Sequence, residues 1–175
     1  LGDALLVWSE ELFRRSGFPE ATLSRGREHL EGVRTEVTAG QFLDMGAQAI
    51  DPLLARVETD AVMSRIRRVV EFKTARYTIV RPLQIGAALA GAGPQLIADL
   101  GSYGSAIGRA FQYRDDVLGI FGDPELTGKP AGDDLREGKL TVLVAHAIAL
   151  AEDRDAVQLA GLLGDPDLTP HQIDQ

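Results

Sequence analysis

Two neighbouring carboxylates are the first residues in this sequence that could do chemistry. Gln112, Asp115, Asp116 and Gly119 stand at i, i+3, i+4 and i+7, one face of a helix. Adjacent carboxylates repel unless water or a cation relieves them. Such hard oxygen donors suit Mg2+, which takes one or two carboxylates and fills its octahedron with water and phosphate oxygens. A solvated helix face is the plainer reading of an isolated Asp pair.

A nearby loop adds cations. Asp133 and Asp134 lie between Lys129 and Lys139. The 18 cationic residues comprise 15 arginines and only three lysines, Lys73, Lys129 and Lys139. Lysine is a compact point charge where arginine is a planar fork, so each lysine in so Arg-rich a chain invites a reason. A phosphate ester needs a metal and cationic donors, and this segment holds both types; the alternative is a surface loop of mixed charge. Lys73 and Thr74 follow the apolar residues Val69, Val70 and Phe72, with Tyr77 at i+4 from Lys73. That lysine either caps a helix C-terminus or points into a site. Gln41, Asp44 and Gln48 interrupt an otherwise apolar helix at i, i+3 and i+7. A helix apolar on most sides is buried, so this stripe faces either a hydrogen-bond network or a wet cavity.

Two familiar phosphate motifs are absent. Five residues separate Gly122 from Gly128 where a P-loop requires four, and Pro130 replaces its Ser/Thr. Gly86, Gly91 and Gly93 lie in an Ala-rich helix and make no dinucleotide fingerprint.

These residues must be positioned by helices. Helical periodicity runs through 1–15, 19–50 (with a break near Gly40), 60–77, 81–92, 94–121, 140–151, 154–163 and 170–175. Pro82 and Pro94 are expected near helix starts, and 77–80 is the one short β-branched strand candidate. On the helix around Gln112, the stripe Ile107, Ala110, Phe111, Val117, Leu118 and Phe121 is expected to pack while the polar face stays open. The longest non-helical stretch, 122–138, is rich in Gly, Pro and Asp, and loops of that length are usually functional. The reading is one all-α domain over 1–175.

Composition narrows the partners. The net charge of −8 speaks against a nucleic acid. The absence of cysteine excludes disulfides, zinc thiolates and a cysteine nucleophile. No run of 18 apolar residues offers a membrane span. The chain opens at Leu1 within an amphipathic helix, so it reads as starting from an interior point.

The segment FQYRDDVLGIFGDPELTGKPAGDDLREGK (111–139) resembles the second aspartate-rich region and lysine loop of the polyprenyl synthetase family, the trans-isoprenyl diphosphate synthases. KTARYTIVRPLQIGAALAGA (73–92) and GQFLDM (40–45) extend the resemblance backward in family order, across essentially the whole chain. It implies an isoprenoid-synthase helical bundle around a central cavity, incomplete at its N-terminus. It implies a prenyltransferase, of the geranylgeranyl or similar medium-length type, that joins an allylic diphosphate to isopentenyl diphosphate with Mg2+ as cofactor. By the same resemblance Asp115 and Asp116 bind the metal and Asp133 supports it. Lys73, Lys129 and Lys139 hold diphosphate, and Gln41 and Asp44 are the polar pair of the cavity helix. Thr74 and Tyr77 neighbour the reacting carbons, and Gln112 precedes the metal motif. A cytoplasmic homodimer is expected on the same ground.

Two departures stand out. Gly119 occupies the place of the motif's last aspartate, which implies a weakened ligand set. The first aspartate-rich motif lies upstream of the matching region in the family, so this chain alone is expected not to turn over. Other readings are a non-catalytic or truncated subunit paired with a catalytic chain, and a terpene cyclase; the GKPAGDD element speaks against the cyclase.

Overall fold

Pairing of buried small residues, more than of large apolar ones, brings the site-bearing helices together. The computed structural model describes residues 1–128 and 130–173, without the side chains of Asp3 and Pro170. In chain order the elements are α1 (Gly2–Arg14), α2 (Glu20–Gln48), α3 (Leu54–Val57), α4 (Thr59–Val70), a π-helical segment (Glu71–Val80), α5 (Arg81–Leu89), α6 (Pro94–Phe121), α7 (Pro124–Thr127), α8 (Asp133–Arg136), α9 (Val142–Leu150), α10 (Asp153–Leu162) and α11 (Pro170–Ile173). Among the described residues there is no strand, and no helix is long and apolar enough to cross a membrane.

Three expectations about elements are corrected. No break occurs at Gly40; α2 is continuous over 29 residues. The rod from Thr59 to Leu89 is also continuous, so 77–80 is helical; Pro82 stands in the first turn of α5, as expected, but that turn follows the π-segment without a break. Proline lacks the N–H that a regular helix gives to the residue four back, and its ring crowds that carbonyl. The widened turns of the π-segment end just before Pro82 and accommodate both defects. The stretch 122–138 holds two one-turn helices. Asp123 caps α7 by accepting from the Glu125 N–H, Pro124 opens it, and Gly128 closes it at φ +70°.

The π-segment lies between α2 and α6 at backbone contact. A Cβ on Gly40 of α2 would stand 2.5 Å from the Lys73 nitrogen and 2.6 Å from the Phe72 carbonyl carbon. One on Gly108 of α6 would stand 2.5 Å from the Ala75 Cα and Cβ. Gly40 therefore serves helix packing, not a bend. Gly40→Ala should lower stability by about 1–3 kcal/mol, the usual cost of overpacking a closed contact. A urea titration measures this; an unchanged midpoint would show that the approach is looser than described.

The apolar core cluster joins α4 to the C-terminal helices. Val62, Met63 and Ile66 of α4 meet Ile120, Leu135, Leu140 and the α9 residues Val144, Ala145 and Ile148. Arg56 ties this cluster's edge by donating to the Ile148 and Ala151 carbonyls at 3.1 and 2.6 Å, the open C-terminal acceptors of α9. The cluster anchors the end of α6 and the turn after α8, from which the acidic residues and Lys139 project.

Candidate active site

One cavity of about 240 Å³ opens where α2, α4, the π-segment, α6 and the α8–α9 turn meet. Its polar lining is Asp44, Gln48, Lys73, Thr74, Gln112, Asp115, Asp116, Asp134, Lys139 and Thr141, and its apolar wall includes Ile66, Val69, Val70 and Leu140. Nine residues singled out in the sequence thus converge: Asp44, Gln48, Lys73, Thr74, Gln112, Asp115, Asp116, Asp134 and Lys139. Gln41 is exposed on α2 and does not line the cavity. Tyr77, one turn beyond Lys73, is 43% exposed and also lies outside the lining. Asp133 is half-buried and does not line it; its neighbour Asp134 does. Lys129 lies outside the described residues.

Three linked contacts order the cavity. The Lys73 ammonium donates to Asp44 at 2.5 Å, joining the π-segment to α2. The Thr74 hydroxyl donates to Gln112 Oε1 at 2.6 Å, joining the π-segment to α6. Gln112 in turn donates to Asp116 at 2.8 Å and more weakly to Asp115 at 3.4 Å. Gln112 is oriented by Thr74, and its amide hydrogens are aimed at the carboxylates. A π-helical turn places successive side chains off the regular stagger and is frequent at functional sites. Here it lets Lys73 reach α2 while the adjacent Thr74 reaches α6.

The packing of α6 is opposite to the sequence expectation. Gly104, Gly108, Asp116 and Ile120 are its buried residues, while Ile107, Phe111, Leu118 and Phe121 are exposed. Glycines on the polar face allow the closest approach to the π-segment, and the Thr74–Gln112–Asp116 chain satisfies the polar groups carried inside. On α2, Phe42 and Met45 are 77% and 72% exposed, so that helix is not enclosed on all sides as its composition suggested.

Of the pair Asp133 and Asp134, it is Asp134, to which the sequence assigns no role, that faces the cavity. Its carboxylate is buried and accepts from Lys139 Nζ at 2.7 Å. A Cβ on Gly119 would stand 2.3 Å from Asp134 Oδ2. The room left by the missing side chain at 119 is therefore occupied by a carboxylate from the loop. The five-residue spacing from Asp134 to Lys139 was the available signal, because one short helical turn brings such a pair together.

The electrostatics show an acidic cluster with partial compensation. Asp116 is 5% exposed, and its pKa is pushed up to about 6. Burial is the main cause; the Gln112 hydrogen bond opposes it, while Asp134 and Asp115 add like charge. Burial pulls the Lys139 ammonium down, but hydrogen bonds to Asp134 and Glu137 outweigh this and hold its pKa above the ordinary value. Among the described residues no three His, Cys, Asp or Glu converge closely enough to enclose a metal unaided. The donor set nevertheless fits Mg2+, which needs only one or two carboxylates when phosphate oxygens and water supply the rest. The buried, charge-crowded Asp116 is a carboxylate whose ionised form gains from a cation.

That carboxyl sets a pH signature. Its folded pKa lies above the unfolded value of 3.8, so between about pH 4 and 6 the folded protein binds the extra proton. In metal-free buffer this group's contribution to stability falls as pH rises through that window. Asp116→Asn removes the effect. The melting temperature of the variant, relative to the parent, should be higher at pH 7 than at pH 4; a constant difference would remove the assignment.

Comparison with known proteins follows the same pattern. The family model described as Polyprenyl synthetase matches residues 2–175. The geranylfarnesyl diphosphate synthase of Aeropyrum pernix is 36% identical over 148 residues, covering 85% of this chain and 44% of that protein. The (2E,6E)-farnesyl diphosphate synthase of Mycobacterium tuberculosis is 35% identical over 148 residues, covering 85% of this chain and 38% of its own length. A solved geranylgeranyl pyrophosphate synthase from Corynebacterium glutamicum, complexed with isoprenyl diphosphate and magnesium, superposes with a TM-score of 0.86 at 45% identity. The match covers 99% of this chain and 47% of that one. The chain spans less than half the length of each of these three proteins.

Proposed function

The chain belongs to the polyprenyl synthetase family, and on that premise we propose that it forms the diphosphate-binding part of a prenyltransferase. The enzyme would condense an allylic diphosphate with isopentenyl diphosphate, head to tail, into a longer polyprenyl diphosphate. The observation that carries this reading is the convergence of Asp115, Asp116 and Asp134 with Lys73 and Lys139 on one cavity. Carboxylates alone would repel a diphosphate and ammonium groups alone would not hold a metal; together they suit a metal–diphosphate pair.

Asp115 and Asp116 would hold Mg2+, while Asp134 fills the space beside Gly119 and pairs with Lys139. When bound, the ion supplies positive charge to the diphosphate oxygens. Lys73 and Lys139 donate to those oxygens as the allylic C–O bond breaks and its electron pair leaves with diphosphate. Their worth is electrostatic: they stand ready where charge develops, with no reorganisation at that moment. Asp44 and Asp134 hold the two ammonium groups in place, at 2.5 and 2.7 Å. The double bond of isopentenyl diphosphate attacks the allylic cation, and the proton lost goes to the departing diphosphate. Ile66, Val69, Val70 and Leu140 form a wall that offers the cation no nucleophile. Lys129 joins this diphosphate-holding set by resemblance, whereas Tyr77 and Gln41 stand outside the cavity lining. A cytoplasmic homodimer belongs to the same reading, with the exposed Leu5, Trp8 and Leu12 of α1 suited to burial.

The test is incorporation of labelled isopentenyl diphosphate by the full natural chain, supplied with Mg2+ and an allylic diphosphate. Extension by five-carbon steps is expected. No incorporation with any allylic diphosphate would overturn the reading.

A further inference from the structure

One stripe of α2 carries Gly32, Glu36, Gly40 and Asp44 at intervals of four, and each meets the rod that contains the π-segment. A Cβ on Gly32 would stand 2.8 Å from the Arg81 Cζ, so the guanidinium lies directly against α2. Gly40 meets the Lys73 and Phe72 backbone, and Asp44 accepts from Lys73. Between them Glu36 is 8% exposed, and such a charge is tolerated inside only when paired.

It is paired twice. Arg81 grips it with a fork, Nε to Oε2 at 2.7 Å and Nη2 to Oε1 at 2.5 Å. Arg76 donates to the same Oε1 at 2.5 Å and to Glu71 at 3.4 Å. Ser105 of α6 closes the chain by donating to Glu71 at 2.7 Å. Arg76 also lies over the Phe72 ring, 4.8 Å from its centroid. The π-segment is thus held at its first residue by α6, in its middle by Glu36, and immediately after its last residue by Glu36 again. Burial pushes the Glu36 carboxyl up, but the hydrogen bonds and charges of Arg81 and Arg76 together hold it below its usual pKa, so the pairing is ionic.

We propose that Glu36, through Arg76 and Arg81, is a positioning residue that fixes the register of the π-segment and so sets Lys73 and Thr74 at the cavity. This rests on the diphosphate reading only for the role of the cavity, since none of the clasp residues lines it. A π-turn is less favourable than an α-turn and persists where packing dictates it. Without the clasp, the segment is free to relax by one residue. A one-residue slip rotates side chains by about 100° and would carry Lys73 away from Asp44 and Thr74 away from Gln112.

The experiment uses the full natural chain with Glu36→Gln, and with Arg81→Lys, which keeps the charge and loses the fork. Two measurements are made on each: amide hydrogen exchange across 71–80, and binding of inorganic pyrophosphate with Mg2+ by calorimetry. Exchange at 71–80 should quicken at least about tenfold while α9 keeps its protection. Pyrophosphate affinity should fall about tenfold, and a Glu36→Gln/Arg81→Gln pair, which restores a neutral hydrogen bond, should recover part of the loss. If Glu36→Gln fails to fold, Arg81→Lys carries the decision. Folded variants with parental exchange at 71–80 overturn the proposal. Should the parent itself not bind pyrophosphate, the diphosphate reading fails, while exchange still decides the clasp.

Discussion

Asp115→Ala in the full natural chain should lower kcat/KM for prenyl transfer by at least about a hundredfold, the scale on which a group that stabilises transition-state charge acts. The fold should scarcely notice. Asp115 is exposed and its one described side-chain contact is the 3.4 Å approach of Gln112, so the stability change should stay within about 0.5 kcal/mol. Asp115 is also one of the like charges that raise the Asp116 pKa, and its removal relieves that repulsion. A large loss of turnover with an unaltered melting curve therefore separates a ligand from a scaffold residue. Turnover within twofold of the parent would remove Asp115 from the metal site.

Lys73→Ala should raise KM for the allylic diphosphate and lower kcat/KM by about a hundredfold. The side chain is half-buried and its sole described hydrogen bond is to Asp44. Truncation does two things at once. It removes a donor from the diphosphate, and it leaves Asp44 as an unbalanced negative charge facing the same anion. Stability should fall by only about 1 kcal/mol, because the pair is partly open to solvent. Lys73→Arg is the control for charge alone, since a planar fork does not reproduce a compact ammonium at a site built around Asp44. An allylic KM that does not move would place Lys73 in packing and not in binding.

Much of this site was legible because its residues repeat on helical faces. Gln112, Asp115 and Asp116 required only the i, i+3, i+4 rule, and the lysines stood out through the chain's preference for arginine. What stayed hidden was hidden for physical reasons. The side of α6 that packs is hidden because apolar residues ordinarily mark a contact surface, whereas Gly104 and Gly108 let backbones approach where larger side chains cannot. The π-segment has no compositional mark; 71–77 reads as ordinary helix and 77–80 as a weak strand, and its packing against Gly40 and Gly108 distinguishes it. Asp133 and Asp134 could not be separated by type. Their difference lies in the direction of one turn after Gly132, at φ +74°, which sends Asp134 inward towards Lys139 and Gly119. The buried Glu36 was likewise silent in sequence, although glycines four residues to either side marked the stripe it belongs to.

A site shared by metal and diphosphate is tested most directly by calorimetric titration of the full natural chain with inorganic pyrophosphate. Titrated with and without Mg2+, and repeated with Asp115→Ala and Lys73→Ala, it should show binding that requires the metal and weakens in both variants. Binding that ignores Mg2+, or that survives both substitutions unchanged, would contradict it.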